Sequence, residues 1–360
     1  MTGSVHHPAG RIVVSGSIAT DHLMVFPGSI TDQLLPDRLD RVSLSFLVEG
    51  LEVRRGGVGA NIALGLGRLG LAPVLVGAAG ADHGEYDAWL RANGVDTAGV
   101  LTVPDLLTAR FLCTTDRDQN QIASFYPGAM ASAADIDLTG VLARTGPARL
   151  VLIGPDDPAA MQHRTQECRD AGIPFAADPS QQLARLSAEE AVHLVTGADL
   201  LFTNAYEREL LLHRTGLTEA QVLDRVGSWI TTLGADGVRI ERRGEQPVET
   251  APPPERAKAD PTGVGDAFRA GFLAATVWQL PVLTAARVGC QLATLVLETV
   301  GTQEYPFDPA DFLCRLADAY GPATAGAVRP HLPARSAVRS KSNPAPAGPS
   351  SNSSTAAAGT

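Results

Sequence analysis

Short apolar runs that stop at a small polar residue recur along this chain, each followed by a stretch with helical spacing. Arg11-Ile-Val-Val-Ser-Gly16 is the first, and Pro73 to Ala78, Leu150-Val-Leu-Ile-Gly154, Pro174-Phe-Ala-Ala-Asp178, Leu200-Leu-Phe-Thr-Asn204 and Ser228-Trp-Ile-Thr-Thr232 repeat it. Runs that are apolar throughout, rather than alternating, suit strands covered on both faces. Strands alternating with helices build βαβ units, so the fold class is α/β, three layers around a mostly parallel central sheet. At 360 residues the chain fits two domains of roughly 150 residues, or one large α/β domain carrying an insertion.

Two segments break the rhythm. Residues from about 24 to 55 and from about 100 to 126 hold shorter, alternating runs with β-branched and aromatic residues, such as Thr108-Ala-Arg-Phe-Leu-Cys-Thr114 and Gln121-Ile-Ala-Ser-Phe125. They read as an antiparallel insertion, a small β lid over the mouth of a main domain spanning residues 11–327. Residues 1–10 read as a disordered leader. Residues 328–360, rich in Pro, Ser, Ala, Gly and Thr, read as a disordered tail.

Lys plus Arg is 29 against 39 Asp plus Glu, a net charge of −10. That balance repels phosphate backbones and anionic lipid, so neither nucleic acid nor a membrane surface is expected as partner. Only Lys258 and Lys341 are lysines, which leaves little room for Schiff-base chemistry or a phosphate-loop lysine. Cys113, Cys168, Cys290 and Cys314 form no C-x-x-C pair, the histidines show no metal-ligand spacing, and no G-x-S-x-G occurs. Zinc-ribbon, metalloprotease and serine-hydrolase readings find no support. Without a signal-like start or a run of eighteen apolar residues, the expected location is the cytoplasm.

Gly65-Leu-Gly-Arg-Leu-Gly70 matches G-x-G-x-x-G by letters, but it follows a helical stretch instead of a strand, so it reads as close helix packing and not as a dinucleotide fingerprint. Asp260-Pro-Thr-Gly-Val-Gly-Asp266-Ala-Phe-Arg-Ala-Gly271 is more telling. A Gly-x-Gly turn at a helix start gathers backbone N–H groups where the macrodipole also favours an anion. An aspartate beside that cradle repels the anion, so Asp266 reads as a base acting next to a phosphate; the competing reading is a helix cap.

Other loops are open to two readings each. Arg55-Gly56-Gly57-Val-Gly59-Ala-Asn61 joins the lid to a helix, and its glycines serve a close ligand approach, a hinge or a plain turn. Asp21, just beyond the first strand, suits two sugar hydroxyls or an Asx turn. Asn204 is a natural N-cap, while Glu207 one turn on could hold hydrated magnesium. Thr232-Leu-Gly-Ala-Asp-Gly237 suits a nucleotide-phosphate turn or a hairpin. Phe111 and Phe125 belong to the lid as core or as stacking surface.

In order along the chain, the Gly56-Gly57 element, Thr203-Asn-Ala-Tyr-Glu207, Thr232 to Gly237 and Asp260 to Asp266 resemble the signatures of the ribokinase-like (PfkB) carbohydrate kinases, over roughly residues 11 to 320. Pro261 and Val264 depart from that family's commonest D-T-x-G-A-G-D form without touching the glycines or Asp266. Gly16 to Met24, Val42-Ser-Leu-Ser-Phe46, Ala123 to Gly128 and Asp178-Pro-Ser-Gln-Gln-Leu-Ala-Arg185 are similar to the family's bacterial adenosine kinases.

The resemblance implies phosphorylation of the ribose 5′-hydroxyl of adenosine by ATP, to give AMP in purine salvage. It implies Asp266 as catalytic base, Gly263, Val264 and Gly265 as anion hole, and Asn204, Thr232, Leu233, Gly234, Ala235, Asp236 and Gly237 at ATP. It places Ser17, Asp21, Ser45, Gly57, Asn61, Phe111, Phe125, Gln181, Gln182 and Arg185 at the nucleoside. Mg2+ would be held by Glu207 through water, K+ is a candidate activator, and lid strands would pair in a homodimer. Alternatives are a ribokinase or fructokinase, an inosine–guanosine kinase, and a nucleoside-binding regulator without catalysis.

Overall fold

The structure, a computed structural model, describes residues 10–34, 41 and 43–334. Residues 1–9 of the expected leader and residues 335–360 of the expected tail lie outside the described residues. In chain order the first half comprises β1 (Arg11–Ser15), β2 (Ala19–Phe26), β3 (Gly50–Gly56), α1 (Val58–Arg68), β4 (Val74–Gly80), α2 (Gly84–Ala92), β5 (Asp96–Val103), β6 (Ala109–Asp116), β7 (Gln121–Tyr126), α3 (Leu138–Thr145), β8 (Ala148–Ile153) and α4 (Pro158–Asp170). The second comprises β9 (Phe175–Ala177), α5 (Ala188–Val195), β10 (Leu200–Asn204), α6 (Ala205–Thr215), α7 (Glu219–Leu223), β11 (Ser228–Thr232), β12 (Val238–Glu241), β13 (Val248–Thr250), α8 (Val264–Val277), α9 (Val282–Leu297), α10 (Pro309–Tyr320) and α11 (Pro322–Val328).

Nine strands form one sheet in the order β13-β12-β11-β10-β9-β8-β1-β4-β5. The pairings are parallel except β11–β12 and β12–β13, which close one edge as antiparallel hairpins. Side chains alternate between two helical layers with the period of the pleat. Ile12, Val14, Leu150 and Leu152 pack with residues of α1, α8, α9 and α10, whereas Val13, Val151 and Ile153 pack with α3 to α6. The apolar runs are therefore buried on both faces, as their composition requires. The strand order reverses at β1, which has β4 on one side and β8 on the other, and such a switch point opens a crevice at the carboxyl ends of the strands.

A second sheet, ordered β3-β2-β6-β7, supplies the expected lid. Its boundaries differ from the expectation. β2 starts at Ala19, so the lid begins almost where β1 ends, and its β2–β6 pair is parallel in an otherwise antiparallel sheet. Residues 100–103 pair with β4 and belong to the large sheet. The reason is position: β5 is an edge strand, and its half-covered face gives it the alternation of a lid strand.

The packed part also runs past 327. Val328 is fully buried, and His331 stacks on Trp278 with ring centroids 5.1 Å apart, so residues 328–334 are ordered against the main body. The G-x-G-x-x-G letters fall on α1, where a Cβ at Gly65 would lie 2.7 Å from that of Ala270 on α8, in keeping with close helix packing.

Candidate active site

Helix α8 opens on Gly263, whose φ of +76° is the left-handed conformation that glycine adopts without strain. A Cβ there would also stand 2.9 Å from Thr302. No side chain caps the first turn of α8, so its N–H groups and the positive end of its dipole are left for an anion. Asp266 lies in this turn. It does not cap the helix; its Oδ2 accepts a hydrogen bond from Asn61 Nδ2 at 2.8 Å.

Two cavities meet at this carboxylate. The first, of about 580 Å³, lies between the lid and the switch point and is lined by Ser17, Asp21, Gly57, Asn61, Phe111, Phe125, Gln181, Gln182 and Arg185, together with Gly263, Thr302 and Asp266. Nine of the ten residues expected at a nucleoside thus line one space. Ser45 does not: it is exposed in the segment ahead of β3 and lines neither cavity. Asp21 is on β2 of the lid, paired with Arg54 of β3, and not in a loop after β1. Phe111 and Phe125 face each other across β6 and β7, and Phe125 is 48% exposed, too open for lid core.

The second cavity, of about 600 Å³, runs along the other flank of α8. Asn204, Glu207, Thr232, Gly234, Ala235, Gly237, Val264, Gly265 and Asp266 line it. Leu233 and Asp236, expected at ATP, do not. The Thr232–Gly237 segment is also the β11–β12 hairpin connection, so its two readings are compatible. Ser180 and Asp266 border both cavities.

Burial sets the protonation behaviour of the acids. Asp266 is pushed up to about 6, chiefly by desolvation and further by Glu207, with the Asn61 hydrogen bond and Arg269 pulling it down. Asp21 is raised to about 6 for the same first reason, with Arg54 opposing and Asp266 adding repulsion. A carboxylate with its proton affinity lifted toward neutrality is a better base than an exposed one.

Glu207 shares a capping box with Asn204: its Oε2 accepts from the Asn204 backbone N–H at 2.8 Å, and Asn204 Oδ1 accepts from the Glu207 N–H at 2.7 Å. Its Oε1 is 3.4 Å from the Ser180 hydroxyl. Among the described residues no cluster of three or more His, Cys, Asp or Glu could cage a metal. One carboxylate at the wall of the second cavity fits Mg2+, which keeps most of its waters and shares the rest with phosphates.

Sequence reasoning missed several neighbours. Arg269, one turn after Asp266 on α8, pairs with the buried Asp178 and stands 3.9 Å from Glu207; its i+3 spacing from Asp266 was the available signal. Ser180 lies within the Asp178–Arg185 stretch but was not among the expected site residues, and Thr302 lines the site without any local motif. Lys258, set aside as an isolated lysine, lines the second cavity. Among the described residues no helix is long and apolar enough to cross a membrane.

The chain is similar to known kinases over most of its length. The nucleoside kinase of Methanothermobacter thermautotrophicus is 29% identical over 289 residues, covering 79% of this chain and 92% of that enzyme. The structure of the Burkholderia thailandensis nucleoside kinase in complex with inosine superposes with a TM-score of 0.76 at 31% identity, covering 86% of this chain and 98% of the other. Its complex with ADP-inosine gives 0.74 at 32% identity, over 86% and 96%. The ribokinase of Thermotoga maritima, 20% identical with a TM-score of 0.67 over 89% and 99%, shares the ribokinase-like fold. Residues 19–309 match the profile described as pfkB family carbohydrate kinase, and the chain belongs to that family.

Proposed function

We propose that the protein is an ATP-dependent nucleoside kinase that phosphorylates the ribose 5′-hydroxyl, with adenosine as its substrate. The observation that carries this reading is the shared wall. Asp266 borders both cavities, so a hydroxyl in one and a terminal phosphate in the other would meet beside a single carboxylate. Phe111 and Phe125 support a nucleoside over a free sugar, because an aromatic pair at the lid offers a base a stacking face that ribose cannot use.

In the reaction, Asp266 accepts the hydroxyl proton as the 5′-oxygen bonds to the γ-phosphorus and the bond to the β–γ bridging oxygen breaks, releasing ADP. Of the expected anion hole, the N–H groups of Gly263 and Gly265 at the start of α8 stabilise the charge on the transferring oxygens, while the Val264 N–H turns to the Pro261 carbonyl at 3.4 Å. Asp21 and Asn61 orient the sugar. Glu207 would hold the water shell of Mg2+, which supplies charge neutralisation at the phosphates when bound.

A second reading, an inosine- or guanosine-directed kinase, is favoured by the inosine bound to the Burkholderia thailandensis relative. The test is ATP-dependent monophosphate formation from adenosine, inosine, guanosine, ribose and fructose, run in K+ and in Na+ buffers to read monovalent-cation activation. Adenosine should give the highest kcat/KM. Preference for inosine moves the assignment to the second reading, equal turnover of ribose or fructose makes the protein a sugar kinase, and no turnover of any of them leaves a binding protein.

We also propose a homodimer through the lid. β3 and β7 are the edges of the small sheet, and Val25, Leu51, Val53, Ile122 and Tyr126 on it are each at least 40% exposed, a surface that unpaired edges rarely leave to solvent. Sedimentation equilibrium at twice the chain mass supports it; a monomer at micromolar concentration refutes it.

A further inference from the structure

Asn61 is an amide, and either of its ends could face Asp266; only the N–H2 end helps a carboxylate that must be ionised to act. The surroundings decide which. Trp89 Nε1 can only donate, and it donates to Gln303 Oε1 at 3.0 Å. The Nε2 of Gln303 is thereby turned the other way, where it donates to Asn61 Oδ1 at 2.8 Å and to the Tyr86 hydroxyl at 2.5 Å. With Oδ1 of Asn61 engaged, and Thr302 Oγ1 also 3.1 Å from it, Nδ2 is left to donate to Asp266. The Tyr86 hydroxyl in turn donates to the carbonyl of Gly56 at 2.7 Å, where the lid strand joins α1.

Gln303 is fully buried, and its backbone carbonyl accepts from Arg68 Nη2 at 2.9 Å, which ties its segment to the helix that carries Asn61. Every group in this chain has its partner, so the network has one arrangement and not two. It ends on one side at the carboxylate and on the other at the lid junction.

We propose that Gln303 is a positioning residue for phosphoryl transfer: it locks the Asn61 amide with its N–H2 toward Asp266, and Trp89 in turn locks Gln303. The proposal rests on the reading of Asp266 as base. Gln303 lines neither cavity; its link to Asp266 runs through Asn61, while its Tyr86 arm ends at the lid junction.

The experiment measures kcat, KM for ATP and the thermal midpoint for Gln303→Met, Asn61→Ala and their combination, beside Asp266→Asn. Methionine keeps the length and burial of glutamine and removes its hydrogen bonds. Gln303→Met should lower kcat about tenfold with KM for ATP within about twofold. In the Asn61→Ala background the same change should alter kcat by less than about twofold, because the amide it positions is gone. An equal loss in both backgrounds, or a folded Gln303→Met enzyme with wild-type kcat, overturns the proposal.

If Gln303→Met does not fold, Trp89→Phe removes the indole donor and keeps an aromatic ring beneath Arg55, and it should lower kcat several-fold; an unchanged kcat there overturns the proposal too. Full turnover in Asp266→Asn would instead refute the base reading, a result distinct from failure of the positioning role.

Discussion

Asp178 and Arg269 form a two-point ion pair, Nε to Oδ2 at 2.5 Å and Nη2 to Oδ1 at 2.7 Å, with both side chains almost sealed from solvent. Burial pushes the Asp178 carboxyl up, and the guanidinium pulls it back. The pair fixes the loop that carries Ser180 to the helix that carries Asp266. Arg269→Met strands a buried carboxylate and should destabilise the fold by about 3–5 kcal/mol, whereas Asp178→Asn combined with Arg269→Met should recover part of that loss. Urea unfolding of the two single variants and the double checks this; strictly additive losses would mean the two residues act separately.

Asp266→Asn keeps the shape of the site and removes the base, so kcat should fall at least about 100-fold while nucleoside affinity changes little. The pH profile carries the sign of the same group. A base works when ionised, and the folded-state value is raised to about 6, so kcat/KM should climb as pH rises through about 6 and then level. A wild-type profile flat from about pH 5 to about pH 7 would separate Asp266 from the rate.

Phe125→Ala should weaken nucleoside binding about tenfold or more, in line with roughly 1–3 kcal/mol for stacking a base on an aromatic face. Ribose has no base to lose. Titration calorimetry with adenosine and with ribose reads the contrast, and equal weakening of both would return Phe125 to a purely structural role.

Asp156 is buried at the end of β8 and raised to about 7, first by desolvation, with the N–H of Asp157 at 2.9 Å and Arg164 opposing. Its folded value lies above its unfolded one, so its contribution favours the fold at acid pH and is lost as pH rises through about 7. Asp156→Asn removes that ionisation and keeps an oxygen for the Asp157 N–H. Its melting temperature should exceed wild type by at least about 2 °C at pH 8, and the gain should shrink as pH falls toward 4. A variant that melts lower than wild type at pH 8 would show that the ionised form has a favourable partner.

The parts of the fold that were legible in the sequence are those whose signal is local. Val13, Val151 and Leu201 sit in runs apolar on both faces, and such runs have one home, the middle of a parallel sheet. β5 was misread because an edge strand is half covered and alternates like a lid strand. Asp21 was placed in a loop because the few residues separating β1 from β2 leave no turn signature between the two sheets. The anion cradle and Asp266 were legible because glycine spacing at a helix start has a direct geometric meaning. Gln303 was not: its partners Asn61, Trp89 and Tyr86 lie 242, 214 and 217 positions away in sequence, and only the folded topology brings them together.

Asp21 rides on the small sheet while Asp266 is anchored in the large body, and both face one cavity. A molecule that touched both acids would tie the two sheets together, and its affinity would include the free energy of holding them at that spacing. Gly57, with φ of +91° and no room for a Cβ beside Ser17 and Ala19, is the residue where the small sheet passes into α1. A side chain there would strain that junction and change the spacing of the two acids, and so the affinity of any acceptor that needs both, with no contacting side chain altered.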